Sequence, residues 1–169
     1  YGVPVSGVMD LYSAQFANAL LGNTNDAALI EMTMVGGKFQ FLEPTTIVVS
    51  GAFMNPKLND MPIEQHKLMH IHSNDVLHFA QVEQGFRTYL AIKGGFKSDV
   101  LLGSRSQYNP VTSNNTIHKG ELVPYQSFSN LYGSNSKVKF DDSILKSNTL
   151  DVFKGAEFDR LSEKQKQQI

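Results

Sequence analysis

The chain has 169 residues, a formal net charge of −1, 41% apolar and 18% charged residues, and no cysteine. That composition supports one substantial hydrophobic core and excludes wholesale disorder, a disulfide scaffold, a thiolate metal site and a cysteine nucleophile. Basic residues are spread out, with their densest run at Lys164 to Lys166 in a polar tail, which removes the electrostatic footing for nucleic acid or an anionic membrane; no apolar run reaches the roughly 20 residues of a membrane-spanning helix.

Gly2 to Met9 reads as a turn-rich lead, and Asp10 as the N-cap of a helix over Leu11–Leu21, because its carboxylate can accept the unpaired N–H groups of the first turn. Leu11, Ala14, Ala17 and Leu21 recur at helical spacing and predict one buried stripe, and Gly22-Asn23 supplies the stop. After residue 28 short strands take over. Leu29–Met34 alternates around Glu31 and Thr33, Phe39 and Phe41 face away from Gln40, and Thr45–Val49 is β-branched. Val76–Phe79 and Arg87–Ile92 are further strands, the latter ending at Gly94-Gly95. Ile117, Leu122 and Val138–Phe140 suggest weaker late strands. Residues 127–149, rich in Ser, Asn and Lys, read as an exposed connection; Leu150–Phe158 returns to apolar character, and a short polar helix begins at Ser162. The pattern is mostly β with one early helix, for which closure into a barrel is the solution that removes exposed edges. The first residue is Tyr1, so the natural amino terminus is expected to lie further upstream.

Several groups of residues carry candidate chemistry. Ser6-Gly7, with Asp10, can present a hydroxyl and backbone N–H groups to a carboxylate, carbamate or phosphate oxygen, and can equally cap and tighten the turn. Ser6 lacks the preceding glycine of a nucleophile elbow, so a nucleophilic role is not expected. Arg87 and Tyr89 stand two apart on one strand and share a face, where a guanidinium and a phenol can clamp a carboxylate. The competing reading is an Arg–Glu pair with the tyrosine packed across the sheet. Gly94, Gly95 and Gly103-Ser104-Arg105-Ser106 form small loops that let backbone approach a ligand, with Arg105 and Ser106 in reach of its oxygens; tight turns need such glycines in any case. His70 and His72, with His66 and His78 nearby in sequence, have a spacing a metal can use, but no carboxylate ligand accompanies them and no metal is expected. No G-x-x-x-x-G-K-[ST] phosphate loop occurs.

Two segments carry a resemblance. Gly2-Val3-Pro4-Val5-Ser6-Gly7-Val8-Met9-Asp10, continued by Ala17-Asn18-Ala19-Leu20-Leu21-Gly22-Asn23 and Leu29-Ile30-Glu31-Met32-Thr33, resembles the signature G-V-P-x-S-G-x-M-D, A-N-x-L-x-G-N and L-E-x-T of the allophanate hydrolase subunit 2 family. Arg87-Thr88-Tyr89-Leu90-Ala91-Ile92-Lys93-Gly94-Gly95-Phe96, with Leu101-Leu102-Gly103-Ser104-Arg105-Ser106, is similar to its R-x-Y-L-A-x-x-G-G and L-G-S-R-S stretch, and Leu150–Glu157 resembles the passage from the family's first half to its second.

The resemblance implies a cyclophilin-like closed β-barrel over residues 1–149, its first strand with a Q-D-x-G-R motif absent ahead of Tyr1, and a connection over 150–169 toward an absent second barrel. It implies a bacterial, cytoplasmic component of an ATP-dependent hydrolase, foremost the C-type subunit of 5-oxoprolinase, which with an allophanate hydrolase subunit 1-like protein and a lactam-hydrolase subunit opens 5-oxoproline to glutamate. ATP would then act at the level of the complex. One alternative is biotin-dependent carboxyl transfer to urea or a related amide, with carboxybiotin carried on a partner because no Met-Lys-Met-like attachment site is present. Another is a non-enzymatic module that binds a kinase-inhibitor-like partner. In the enzymatic readings Arg87, Tyr89 and Arg105 are the catalytic candidates, as donors aimed at charge developing on a carbonyl or carboxylate. Ser6, Gly7, Asp10, Gly94, Gly95, Ser104 and Ser106 are the substrate-contact candidates. One half of a two-barrel unit is expected to be inactive alone.

Overall fold

The computed structural model describes residues 6–128, 139–141, 143, 146–149 and 152–168. Asp10 caps helix α1 (Leu11–Leu21): its carboxylate accepts from the Ser13 backbone N–H at 3.0 Å and from the Ser13 hydroxyl at 2.5 Å. Gly22, left-handed at φ 63°, ends the helix. So short a helix is marginal in water by propensity alone. Its stability comes from Ala17 and Leu21, which pack on Val48 and Ala91. Leu11, expected in that stripe, is 62% exposed; the buried face starts later, at Ser13 and Ala14.

The strands are β1 (Ile30–Thr33), β2 (Lys38–Gln40), β3 (Thr45–Phe53), β4 (Lys57–Leu58), β5 (Met61–Pro62), β6 (Met69–Ile71), β7 (Val76–His78) and β8 (Gln84–Ile92). They form two antiparallel four-stranded sheets, ordered β1-β8-β3-β6 and β2-β7-β4-β5. Ile30, Met32, Ile47, Val49, Leu90 and Ile92 of the first sheet share one core with Leu77 and Phe79 and with the partly buried Phe39 and Leu58. Burying a side chain of this size contributes about 1.5–3 kcal/mol. Because side chains alternate along a strand, the other face of the first sheet carries Glu31, Thr33, Val48, Ser50, Arg87, Tyr89 and Ala91, and α1 lies over that face.

The mostly β architecture with one early helix is as expected, whereas the ladders of the described residues form two sheets and not one closed barrel. Between the sheets run single backbone links, such as the Val35–Gln81 bridge and the Ala80 N–H to the Met54 carbonyl.

The expected late strands differ as well. Ile117 and Leu122 lie in no strand, and Val138 falls outside the described residues, as does much of the connection over 127–149. Phe140 is buried, stacked on His66 with ring centroids 3.7 Å apart and set edge-on to Phe16 of α1. Leu150 is outside the described residues, and Val152 and Phe153 are exposed. Ser162 opens the short polar helix α2 (Glu163–Lys166) with a capping box. Among the described residues no helix is long and apolar enough to cross a membrane.

Candidate functional site

The register of β1 against β8 sets Glu31 opposite Tyr89 and Thr33 opposite Arg87. All four side chains therefore meet on the α1 side of the sheet, and Glu31 ties them together. Its Oε1 accepts from Arg87 Nη1 at 2.8 Å, and its Oε2 accepts from the Tyr89 hydroxyl at 2.9 Å and from the Met9 backbone N–H at 3.0 Å. Arg87 Nη1 also donates to Thr33 Oγ1 at 2.9 Å. The Tyr89 oxygen accepts the Asp10 N–H at 2.9 Å, so one phenol joins the head of α1 to the strand carboxylate.

Arg87 and Tyr89 do share a face, and the Arg–Glu pair weighed against a clamp is present. The two residues differ in access. Tyr89 is fully buried, while the Arg87 and Glu31 side chains are 27% and 25% exposed. The Arg87 guanidinium lies 5.3 Å from the Phe86 ring, and its Nε and Nη2 make no hydrogen bond among the described residues. That leaves one planar N–H fork, the geometry that takes a carboxylate in bidentate fashion.

Burial drives the Tyr89 phenol well above its ordinary value of 10.0. The Asp10 N–H opposes this, and the Glu31 hydrogen bond and the Glu31 and Asp10 charges add to the rise. The unfolded chain releases this proton near its ordinary value and the folded chain holds it longer. The resulting stability is complete below about pH 10 and is lost as pH rises toward the folded value. Tyr89→Phe is expected to flatten the alkaline limb of the stability profile, measured by denaturant unfolding between about pH 9 and 11, while costing about 1–2 kcal/mol at neutral pH. A limb as steep as in the unaltered protein would assign the alkaline loss to other groups.

The remaining candidates divide. The Ser6 hydroxyl donates to Ser104 Oγ at 3.3 Å, and Ser104 Oγ accepts the Ser106 N–H at 3.0 Å, so the 103–106 loop sits against the lead into α1. Gly7 is exposed in that lead. Asp10 spends its carboxylate on Ser13, which fills the helix terminus from within. Arg105 turns into its own loop and donates to the Ser98 carbonyl. Gly94 and Gly95 lie beyond the other end of β8, about 20 Å along the strand from Arg87. There the Gly94 N–H is held by Asn23 Oδ1 at 2.8 Å, and an added Cβ on Gly95 would come within 3.1 Å of Ala27. These glycines close the strand onto the end of α1. His70 faces Thr46 Oγ1 at 3.2 Å, His72 pairs with Asp75, and no group of three metal-ligating side chains occurs among the described residues.

Sequence reasoning passed over Glu31 and Thr33 as site residues. Their signal was the L-E-x-T segment, which acquires meaning once β1 pairs with β8. Ser50, fully buried and opposite Tyr89, was missed too; its hydroxyl has no partner among the described residues.

A two-sheet β domain with a capped helix over an Arg–Glu–Tyr network is the class that fold and site define. At the level of fold it is similar to the solved structure of TTHA0988, with a TM-score of 0.71 and 24% identity over 80% of this chain and 52% of that one. The chain belongs to the family of the carboxyltransferase domain, subdomains A and B, whose model matches residues 1–169. It is 44% identical over 107 residues to the urea amidolyase of Lachancea kluyveri and 30% identical over 106 residues to the C-type 5-oxoprolinase subunit of Haemophilus influenzae. The structure of Kluyveromyces lactis urea carboxylase aligns with a TM-score of 0.60 and 41% identity over 62% of this chain and 9% of that one. The chain spans about a third of the length of the Haemophilus relative (34%) and 6% of the Lachancea one, each match covering 63% of this chain.

Proposed function

We propose that this chain contributes an oxyanion-holding surface, centred on Arg87, to a multi-part enzyme acting on the carbonyl group of a small amide or lactam. The supporting observation is the state of Arg87: Nη1 is fixed by Glu31 and Thr33, and the Nε–Nη2 fork is unengaged. A donor fixed before substrate arrives lowers the energy of developing negative charge without reorganising at the moment of reaction. One guanidinium matches a single carboxyl group, and Arg105 is turned away into its loop. ATP, in this proposal, is handled elsewhere in the complex.

Two finer readings share the surface. The urea amidolyase relatives support carboxyl transfer to an amide nitrogen, with carboxybiotin on a partner supplying the activated carboxyl group and Arg87 holding its oxygens. The 5-oxoprolinase relatives support opening of a lactam acid with partner subunits, Arg87 then holding the acid's carboxylate. Barrel closure, a first-half domain over 1–149 joined by 150–169 to a second, and a cytoplasmic setting belong to the same proposal.

The test is turnover by the full-length protein with its partner subunits, offered ATP with 5-oxoproline or with urea and bicarbonate. Phosphate release that needs both 5-oxoproline and this chain selects the lactam reading; biotin-dependent carboxylation of urea selects the other. In whichever assay responds, Arg87→Ala and Arg87→Lys are each expected to lower kcat/KM at least about tenfold, roughly 1.4 kcal/mol of transition-state stabilisation. Unchanged kcat/KM in a variant whose Tm shows it folded would retire Arg87 from the site.

A further inference from the structure

In the second sheet the register sets Lys38 of β2 opposite His78 of β7, and Lys57 of β4 opposite the same His78. Directly opposed residues of antiparallel strands project to one face with Cβ atoms about 4.5–5.5 Å apart. Lys38, His78 and Lys57 therefore form a row across three strands. Phe39, Leu77 and Leu58, their sequence neighbours, point into the core, and the row itself is exposed. None of the three side chains has a hydrogen-bond or ion-pair partner among the described residues.

Two members of the row, Lys38 and His78, line a groove of about 430 Å³ together with Asn59, Asp60 and Val76, and Lys57 stands on the far side of His78. Of the acidic groups beside it, Asp75 is engaged by the His72 backbone N–H at 2.8 Å and the Asn59 amide at 2.7 Å. Asp60, which also lines the groove, is the opposing charge. Lys38 and Lys57 flank His78 from the two neighbouring strands. A lysine on edge strand β2 has a ready reason, since it keeps the edge from pairing with another chain. Lys57 lies on β4, inside the sheet, and gains nothing of that kind.

We propose that this row and groove bind a phosphate group, either inorganic phosphate or the phosphoryl end of a small organic molecule. An oxyanion over His78, between the two ammonium groups, can accept charge-assisted hydrogen bonds from both. Val76 offers an apolar floor for the organic part of an ester. The site lies on the sheet that does not carry Arg87, and it stands or falls separately from the amide- or lactam-processing reading.

The experiment is thermal unfolding of the full chain in sodium phosphate and in sodium chloride at matched ionic strength and pH, then with phenyl phosphate. About 10 mM phosphate is expected to raise Tm by about 4 °C over chloride. Phosphate also stabilises proteins by exclusion from their surfaces, an effect that Lys38→Gln and Lys57→Gln keep. Each variant is expected to lose at least about half of the phosphate increment. A larger increment with phenyl phosphate points to an organic ester, and an equal one to inorganic phosphate. Equal Tm in phosphate and chloride, or full retention of the increment in both variants, overturns the site.

Discussion

Glu31→Ala is expected to lower stability by about 2–3 kcal/mol, seen as a fall in Tm of roughly 5–10 °C. One carboxylate accepts from the Arg87 guanidinium, the Tyr89 hydroxyl and the Met9 backbone N–H. Removing it strands a guanidinium largely withdrawn from water and a phenol with no access to water at all. A partner left unpaired costs more than the bond itself was worth. Glu31→Gln separates the parts of this effect. Its amide oxygen can still accept from Tyr89 and Met9, but the charge opposite Arg87 is gone, so about 1 kcal/mol is expected. The pair Glu31→Ala with Arg87→Ala should cost less than the sum of the two single changes, because residues in one network couple. Strict additivity, or a Glu31→Ala variant within about 0.5 kcal/mol of the unaltered protein, would mean that the network does not hold the site together.

How far this arrangement is legible in the sequence depends on the range of the forces that set each part. Helix α1 is legible to its end residues because its start and stop are local. Asp10 caps three residues ahead, and Gly22 takes the left-handed conformation that ends it. Strands β1, β7 and β8 are legible from alternation and β-branched content. In contrast, β4, β5 and β6 are two or three residues long and contain lysine, proline and histidine. β6 is extended by pairing with β3 and β4 by pairing with β7, which neighbouring residues do not encode. β4 and β5 close a hairpin over Asn59-Asp60, both left-handed, whose local turn signal is short enough to pass over.

The site divides along the same line. Alternation alone places Arg87 and Tyr89 on one face. What each does there is set by β1, whose register brings Glu31 to Tyr89 and Thr33 to Arg87 across more than fifty residues of chain. The Ser6–Ser104 contact is longer in range still. From sequence, Gly94 and Gly95 can face a ligand, because glycine permits close approach of any group. Here the approaching groups are the protein's own: the Ala27 Cβ and the Ala28 backbone at Gly95, and the Phe128 ring at Gly94.

Gly51→Ala is expected to cost roughly 3 kcal/mol or more and to lower Tm by about 6–12 °C. Gly51 sits in β3 at φ +87°, where an L side chain is strained, and the ladder with β8 shifts register between Gly51 and Phe53. A Cβ there would stand 2.5 Å from the Arg87 carbonyl oxygen and 3.2 Å from the Tyr89 ring. The carbonyl belongs to the backbone of a paired central strand and has no rotamer by which to withdraw. Either β3 or β8 must move, and moving β8 displaces Arg87 from Glu31. Gly103→Ala isolates the strain from the clash, since Gly103 is also left-handed, at φ +77°, but an added Cβ meets nothing within 4 Å. Left-handed strain alone is worth about 1–2 kcal/mol. The excess for Gly51 over Gly103 is then the cost of forcing β3 and β8 apart, and it should come with weaker turnover in the assay that reports on Arg87. Equal costs at the two glycines would show that β8 yields freely at Arg87, and the fixed guanidinium on which the proposed chemistry rests would lose its support.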